Sequence, residues 1–214
     1  MRLVAFTAGM LSRLEGPPIP PAPGRPPVVL VHGILANAGD MRRLASHLRA
    51  RGWEVLVPVL TPNGGELPLE ELARQLADYT QRELAGRPFD LVGFSMGGLV
   101  ARYYLQRLAG PDRVRRFITM AAPHHGTHTA WFATAPGCVQ MRPGSAFLRD
   151  LARDADSLRR VAFTSFYTPL DTIIVPARST EMPQARNIRM WGIIHPSFIL
   201  ESRCLRAVAQ ALRE

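Results

Sequence analysis

Phe89-Asp90-Leu91-Val92-Gly93-Phe94-Ser95-Met96-Gly97-Gly98-Leu99-Val100-Ala101-Arg102-Tyr103-Tyr104-Leu105 is the stretch that decides the fold. Phe89 to Val92 is a short apolar run of buried-strand type, and Leu99 to Leu105 has helical periodicity. Between them the chain must turn sharply, with Ser95 at the apex. This is the G-x-S-x-G pattern of a nucleophile elbow. A serine on so tight a turn takes strained dihedrals, and side chains at positions 93 and 97 would collide with the flanking strand and helix. Gly93 and Gly97 leave that room. The helix beginning at the serine offers positive potential to an oxyanion. The five-residue pattern alone occurs by chance in many proteins; its place after a strand and before a helix gives it functional weight.

Outward from the elbow, strand and helix alternate. Pro27 to Val31 reads as the first core strand, ending at His32-Gly33. A helix follows, with Asn37 to Asp40 at its start, Met41, Leu44, Ala45 and Leu48 on one face, and Gly52 as its stop. Glu54 to Pro58 reads as a second strand, Leu69 to Leu84 as an amphipathic helix, and the elbow as the third strand–helix pair. Further strands are expected at Val114 to Met120, Ala162 to Tyr167 and Ile188 to Ile194, with a last helix from Phe198 to Leu212. The expected fold class is α/β: a mostly parallel central sheet of about six strands with helices on both faces. Residues 1–27 form a proline-rich lead-in and 28–214 a single domain. Residues 128–160 lack a strand pattern and hold short helices, such as Ser145 to Ala152 with Ser145 as N-cap. They read as a cap- or lid-like insertion whose Trp131, Phe132, Val139, Met141 and Phe147 would partly roof a cleft.

A chain of 214 residues with 47% hydrophobic content can bury one substantial core. No run approaches the ~18 to 20 apolar residues of a membrane span. The formal charge is +9, carried by arginine without lysine. The arginines are scattered along helices, a pattern equally explained by codon bias, so the charge is only a hint of contact with anionic membrane or lipid surfaces. No nucleic-acid module or basic stripe interleaved with aromatics is present. Cys138 and Cys204, far apart and without metal-ligand spacing, read as separate thiols. Leu3 to Leu11 faintly resembles a signal peptide but is broken by Thr7 and Gly9. A cytoplasmic protein is expected, with secretion as the alternative.

Ser95 as nucleophile requires a base, and the base an acid. In an open parallel sheet these groups come from loops at the carboxyl ends of strands, here in the order Ser, acid, His. Of the six histidines only His195 follows a suitable acid. Asp171, just past the fifth strand, is that acid, and Glu181 is held in reserve. Asp150, Asp154 and Asp156 share an arginine-rich helical stretch and read as solvated ion pairs; Asp90 lies at the wrong end of its strand, and Asp112 in a turn. His47 reads as structural. His124, His125 and His128 lack carboxylates at ligand spacing and read as a loop bordering the cleft; no metal is expected. The oxyanion donors are the backbone N–H groups of Met96 and Ile34, with Gly33 permitting the sharp turn.

Val29-Leu30-Val31-His32-Gly33-Ile34, the elbow, Ala122-Pro123-His124-His125-Gly126-Thr127, Thr168-Pro169-Leu170-Asp171 and His195, as an ordered set, resemble the bacterial triacylglycerol lipases of the α/β-hydrolase superfamily, especially small members with a six-stranded core. The resemblance implies cofactor-free hydrolysis of carboxylic esters, acyl lipids among them, with Ser95, Asp171 and His195 as triad and Ile34 and Met96 as oxyanion donors. The sequence shows no counterpart of the calcium site that some larger relatives have. Phe94 stands where many such lipases carry histidine, and an effect on packing rather than chemistry is expected there. Leu35, Trp131, Phe132 and Ile194 are candidates for accepting an acyl chain. Acyl transfer or thioester hydrolysis on the same triad is the alternative within enzymes, and a catalytically idle lipid-binding module the alternative outside them. Oligomeric state is not legible.

Overall fold

A computed structural model describes residues 20–109 and 112–214; residues 1–19, including the leader-like Leu3 to Leu11, and 110–111 lie outside that description. Six parallel strands form one sheet in the order β2-β1-β3-β4-β5-β6. They are β1 (Val28–Val31), β2 (Val55–Leu56), β3 (Phe89–Phe94), β4 (Val114–Met120), β5 (Ala162–Tyr167) and β6 (Arg186–Arg189). The helices are α1 (Arg42–Arg49), α2 (Leu69–Leu84), α3 (Met96–Tyr103), α4 (Pro136–Gln140), α5 (Ala146–Arg153) and α6 (Ser202–Ala211), and α3 runs on as a π-helical turn over Tyr104–Ala109.

Alternation along the strands splits the core in two, because successive side chains point to opposite faces of a sheet. Val29 and Val31 of β1, Phe89 and Leu91 of β3, and Phe117 of β4 pack with α2 and α3. Val28, Leu30, Val92, Ile118 and Met120 pack on the other face with α1 and α6. Burial on both sides explains why β1 is apolar throughout and β3 is apolar apart from Asp90 and Gly93. Sequence order reverses between β1 and β3, and at such a switch point the loops beyond the carboxyl ends diverge and open a crevice.

Three boundaries differ from the sequence reading. The expected sixth strand, Ile188 to Ile194, is instead Arg186–Arg189, an edge strand with mostly exposed side chains; pairing with Thr164 to Tyr167 defines it, not hydrophobicity. Residues 190–194 form the loop beyond. The last helix begins at Ser202, because His195–Ile199 closes a separate 3₁₀ turn. The second strand shrinks to two residues.

The insertion is fastened to the helical layer. Arg102 of α3, 1% exposed, donates to the carbonyls of His124 (3.1 Å) and Leu151 (2.8 Å), and Arg107 pairs with Asp150 (3.0 Å) and Asp154 (2.7 Å). Asp150 and Asp154 are thus half-buried anchors, unlike Asp156, which is exposed. Gln140 bonds the Leu69 amide, and the Ser145 hydroxyl caps α5 at the Leu148 amide. Of the apolar residues expected in a roof, Met141 and Phe147 belong to the core, while Trp131, Phe132 and Val139 reach the surface.

Candidate active site

Ser95 sits between β3 and α3 with φ +54° and ψ −127°, a conformation a non-glycine residue holds only when its surroundings enforce it. Its N–H donates to Met120 O (2.9 Å), and its carbonyl accepts from the Gly98 amide (2.9 Å). A Cβ on Gly93 would lie 2.6 Å from Gly98 Cα, and one on Gly97 would strike the carbonyls of Val31 and His32. Gly98 is constrained as well, against the Ala122 Cβ. Three glycines therefore let helix, strand and the loop after β1 approach backbone to backbone.

Beyond β5 the chain folds on itself around Thr168. The Thr168 hydroxyl donates to Ile193 O (2.7 Å) and accepts from the Leu170 amide (3.3 Å), tying the loop after β5 to the loop that carries His195. Asp171 Oδ1 accepts from the amides of Ile173 (2.9 Å) and Ile174 (2.8 Å). Its Oδ2 lies 2.8 Å from His195 Nδ1, and His195 Nε2 lies 3.0 Å from Ser95 Oγ. Nδ1 next to a carboxylate carries the ring proton, which leaves Nε2 to accept from the Ser95 hydroxyl. All three side chains are largely buried, Ser95 at 5% exposure and Asp171 and His195 at 7% each. The Phe94 ring packs on the His195 imidazole at 5.0 Å between centroids. The packing effect expected of Phe94 is thus exerted on the imidazole itself.

The loop after β1 meets the serine from the other side, where a Cβ on Gly33 would be 3.1 Å from Ser95 Cβ. Met96 opens α3, so its N–H has no acceptor within the helix. In the facing turn the Leu35 amide is committed to Asn63 O (3.2 Å) and the Ala36 amide to Gly33 O (3.4 Å), and Ile34 lies between these bonded residues. Such an arrangement can receive negative charge developing on an oxygen next to Ser95.

Glu181 is not part of this constellation; its carbonyl lies 3.1 Å from His125 Nε2. His124 is buried, with Nε2 3.1 Å from Thr119 Oγ1, and burial pushes its pKa well below the ordinary histidine value. His47 lies on α1, its Nδ1 3.2 Å from Arg51 Nη1. Among the described residues, no group of three or more His, Cys, Asp or Glu side chains is arranged to hold a metal ion. Cys138 and Cys204 are separate buried thiols. Leu35 (82%) and Ile194 (56%) are exposed on loops, and Trp131 (57%) and Phe132 (93%) on the 3₁₀ turn His128–Phe132, all beyond the carboxyl ends of the strands. No described helix is long and apolar enough to cross a membrane. Sequence reasoning missed Thr168 as the tie between the two site loops, although its position just past a strand in Thr-Pro-Leu-Asp is a turn signal.

Residues 26–168 match the family model described as the alpha/beta hydrolase fold. A triacylglycerol lipase of Pseudomonas fragi is 28% identical over 116 residues, which cover 50% of this chain and 37% of the lipase. The chain thus matches well under half the length of that curated relative. The mature form of a Bacillus licheniformis lipase superposes with a TM-score of 0.73 at 19% identity, covering 92% of this chain and 96% of that one. A thioesterase domain from the curacin biosynthetic pathway superposes with a TM-score of 0.62 at 19% identity, covering 91% and 93%. At these identities the two structures establish a shared fold and leave the chemistry to the site.

Proposed function

We propose, from the premise that this chain belongs to the α/β-hydrolase fold family, that it hydrolyses carboxylic esters of acyl lipids through Ser95, His195 and Asp171. Lipase- or esterase-type hydrolase activity is what the family and the Pseudomonas fragi relative support; the assignment of residues and substrate rests on the geometry of the site. The observation that carries it is the hydrogen-bonded chain from Ser95 Oγ to His195 Nε2 (3.0 Å) and from His195 Nδ1 to Asp171 Oδ2 (2.8 Å).

In this mechanism His195 Nε2 takes the Ser95 proton as Oγ attacks the ester carbonyl, and Asp171 stabilises the imidazolium that results. The carbonyl oxygen becomes an oxyanion held by the amides of Met96 and Ile34. Collapse of the tetrahedral species breaks the bond to the alcohol oxygen, which leaves with the proton His195 returns. Water then attacks the acyl-enzyme, giving up a proton to His195, and the carboxylic acid departs as Ser95 regains its proton. The exposed apolar side chains of Leu35, Trp131, Phe132 and Ile194 favour an acyl chain presented at a lipid surface over a small soluble ester.

The test is hydrolysis of p-nitrophenyl esters from short to long acyl chains by the wild-type protein, Ser95→Ala and His195→Ala. Turnover by the wild type, with losses on the order of 10⁴-fold or more in both folded variants, is the expected result. A folded wild type inert towards every ester and unlabelled by a serine-directed phosphonate overturns the reading. Turnover of acyl thioesters alone moves it to thioester hydrolysis.

A further inference from the structure

The oxyanion loop is shaped in a way its own sequence does not favour. Leu35 has φ +56°, in the left-handed region that a branched apolar side chain enters only with strain. It is 82% exposed, so packing does not offset that strain. The turn is closed from within only by the 3.4 Å bond from the Ala36 amide to Gly33 O. An external support is required.

That support comes from the loop after β2. Asn63 O accepts from the Leu35 amide (3.2 Å), and Asn63 Nδ2 donates to Gly33 O (3.2 Å) and, in a short contact, to Ala36 O. Both hydrogens of the side-chain amide are thereby spent on carbonyls flanking Ile34. The buried His32 ring completes the bracket: its Nε2 accepts from the Leu60 amide (3.2 Å), so Nδ1 carries the proton and donates to Gly33 O (3.1 Å). Gly33 O thus accepts from the His32 ring and the Asn63 amide beside the longer Ala36 N–H contact. Asn63's own loop is anchored to α2, where Gln75 accepts from Thr61 N–H (2.9 Å) and donates to Thr61 O (2.8 Å).

We propose that Asn63 is the positioning residue of the oxyanion loop: its side-chain amide and main-chain carbonyl hold Gly33, Leu35 and Ala36 so that the Ile34 N–H stays aimed at the oxygen of the tetrahedral intermediate. This rests on the ester-hydrolase reading for its kinetic consequence, and on hydrogen bonding alone for its effect on the loop. Asn63 does not touch the reacting atoms. Its removal lowers the fraction of molecules with the donor in place, so the loss appears in kcat and leaves KM nearly unchanged, because the donor bonds the transition state and not the ground state.

The test uses full-length Asn63→Ala and Asn63→Asp, the latter keeping the shape while facing the two carbonyls with acceptors. Melting temperature, kcat and KM on p-nitrophenyl butyrate, and amide hydrogen exchange of residues 33–36 are measured together, with Ser95→Ala as the inactive control. The expected result in each folded variant is a kcat lower by about 10- to 100-fold, part of the 10²–10³-fold that a lost oxyanion donor costs. KM stays within about twofold, and exchange at Leu35 and Ala36 accelerates at least about tenfold while β1 and β3 keep their protection. Asn63→Ser, retaining one short donor, falls between Asn63→Ala and wild type and supplies a third variant less prone to misfold. Exchange at residues 33–36 unchanged in any folded variant overturns the proposal, as does wild-type kcat or a loss seen only in KM. A wild-type protein inert to esters fails the functional reading instead, and the exchange measurement then decides the role of Asn63 by itself.

Discussion

Two buried aspartates, one on a loop at the carboxyl end of the sheet and one inside a strand, are treated in opposite ways. Asp171 receives two backbone amides on Oδ1 and the His195 ring on Oδ2. Asp90, the second residue of β3 and 0% exposed, faces Arg116, whose Nη1 lies 3.4 Å away, and its Oδ2 has no hydrogen-bond partner among the described residues. Burial pushes the Asp90 carboxyl up to about 6 despite the arginine. The difference is one of backbone supply. A loop past a strand end can turn its amides onto a carboxylate, whereas in a central strand the amides are spent on the ladder. A buried acid becomes a serviceable orienting group on a loop and a liability in a strand.

Substitutions near Asp171 should therefore change turnover and leave stability nearly intact, and substitutions away from the site should do the reverse. Asp171→Asn tests this most severely. The amide cannot hold the imidazole tautomer, and kcat should fall by about 10⁴-fold with melting temperature shifted by only a few degrees. A loss below tenfold would make the two aspartates functionally alike. Arg102→Met removes donors to the carbonyls of His124 and Leu151, and unfolding in urea should show a loss of about 2–4 kcal/mol with turnover per folded molecule retained in the cold.

Asp90 sharpens the contrast through pH. Its folded pKa lies above its unfolded value of 3.8, so between about pH 4 and 6 the folded chain binds more protons than the unfolded one. Its contribution to stability therefore falls as pH rises through that window and stays at its low value above it. Asp90→Asn should flatten this part of the stability–pH curve and recover up to about 3 kcal/mol at pH 7, an upper figure because Arg116 loses its partner. Urea titrations at several pH values check the slope. The smallest effect is expected at the rim. Phe132→Ser, at a side chain 93% exposed, should leave stability within about 0.5 kcal/mol and lower turnover severalfold on emulsified long-chain esters but not on soluble short ones. Equal loss on both substrates would remove Phe132 from the acyl-contacting surface.

What could be read along the chain was whatever the local pattern compels. The elbow is legible because strand, glycines and helix are contiguous, and β1, β3, β4 and β5 because their buried positions carry mostly apolar residues. The sixth strand was misplaced because Trp191-Gly192-Ile193-Ile194 is the more apolar stretch, while an edge strand is chosen by its hydrogen-bonding neighbour. That Phe94 acts on packing is legible beside the serine, but its partner is not: the contact with His195 joins residues about a hundred positions apart. In sequence Asn63 is one turn residue among Thr61-Pro62-Asn63-Gly64-Gly65, and only the approach of two loops shows which carbonyls its amide serves.

By itself the sequence determined the parallel α/β class, the place of Ser95 at a strained turn, and the order in which a serine, an acid and a histidine follow the strands. These depend on periodicity, on glycine sterics and on chain order, all local properties. Only the tertiary structure decided that Ser95, His195 and Asp171 stand within hydrogen-bond distance, that the insertion is bolted to α3 through Arg102 and Arg107, and that Asn63 braces the loop beside the serine. Each of those depends on which groups, distant in sequence, the packed sheet and its loops bring within hydrogen-bond reach, a relation that exists only after the chain has folded.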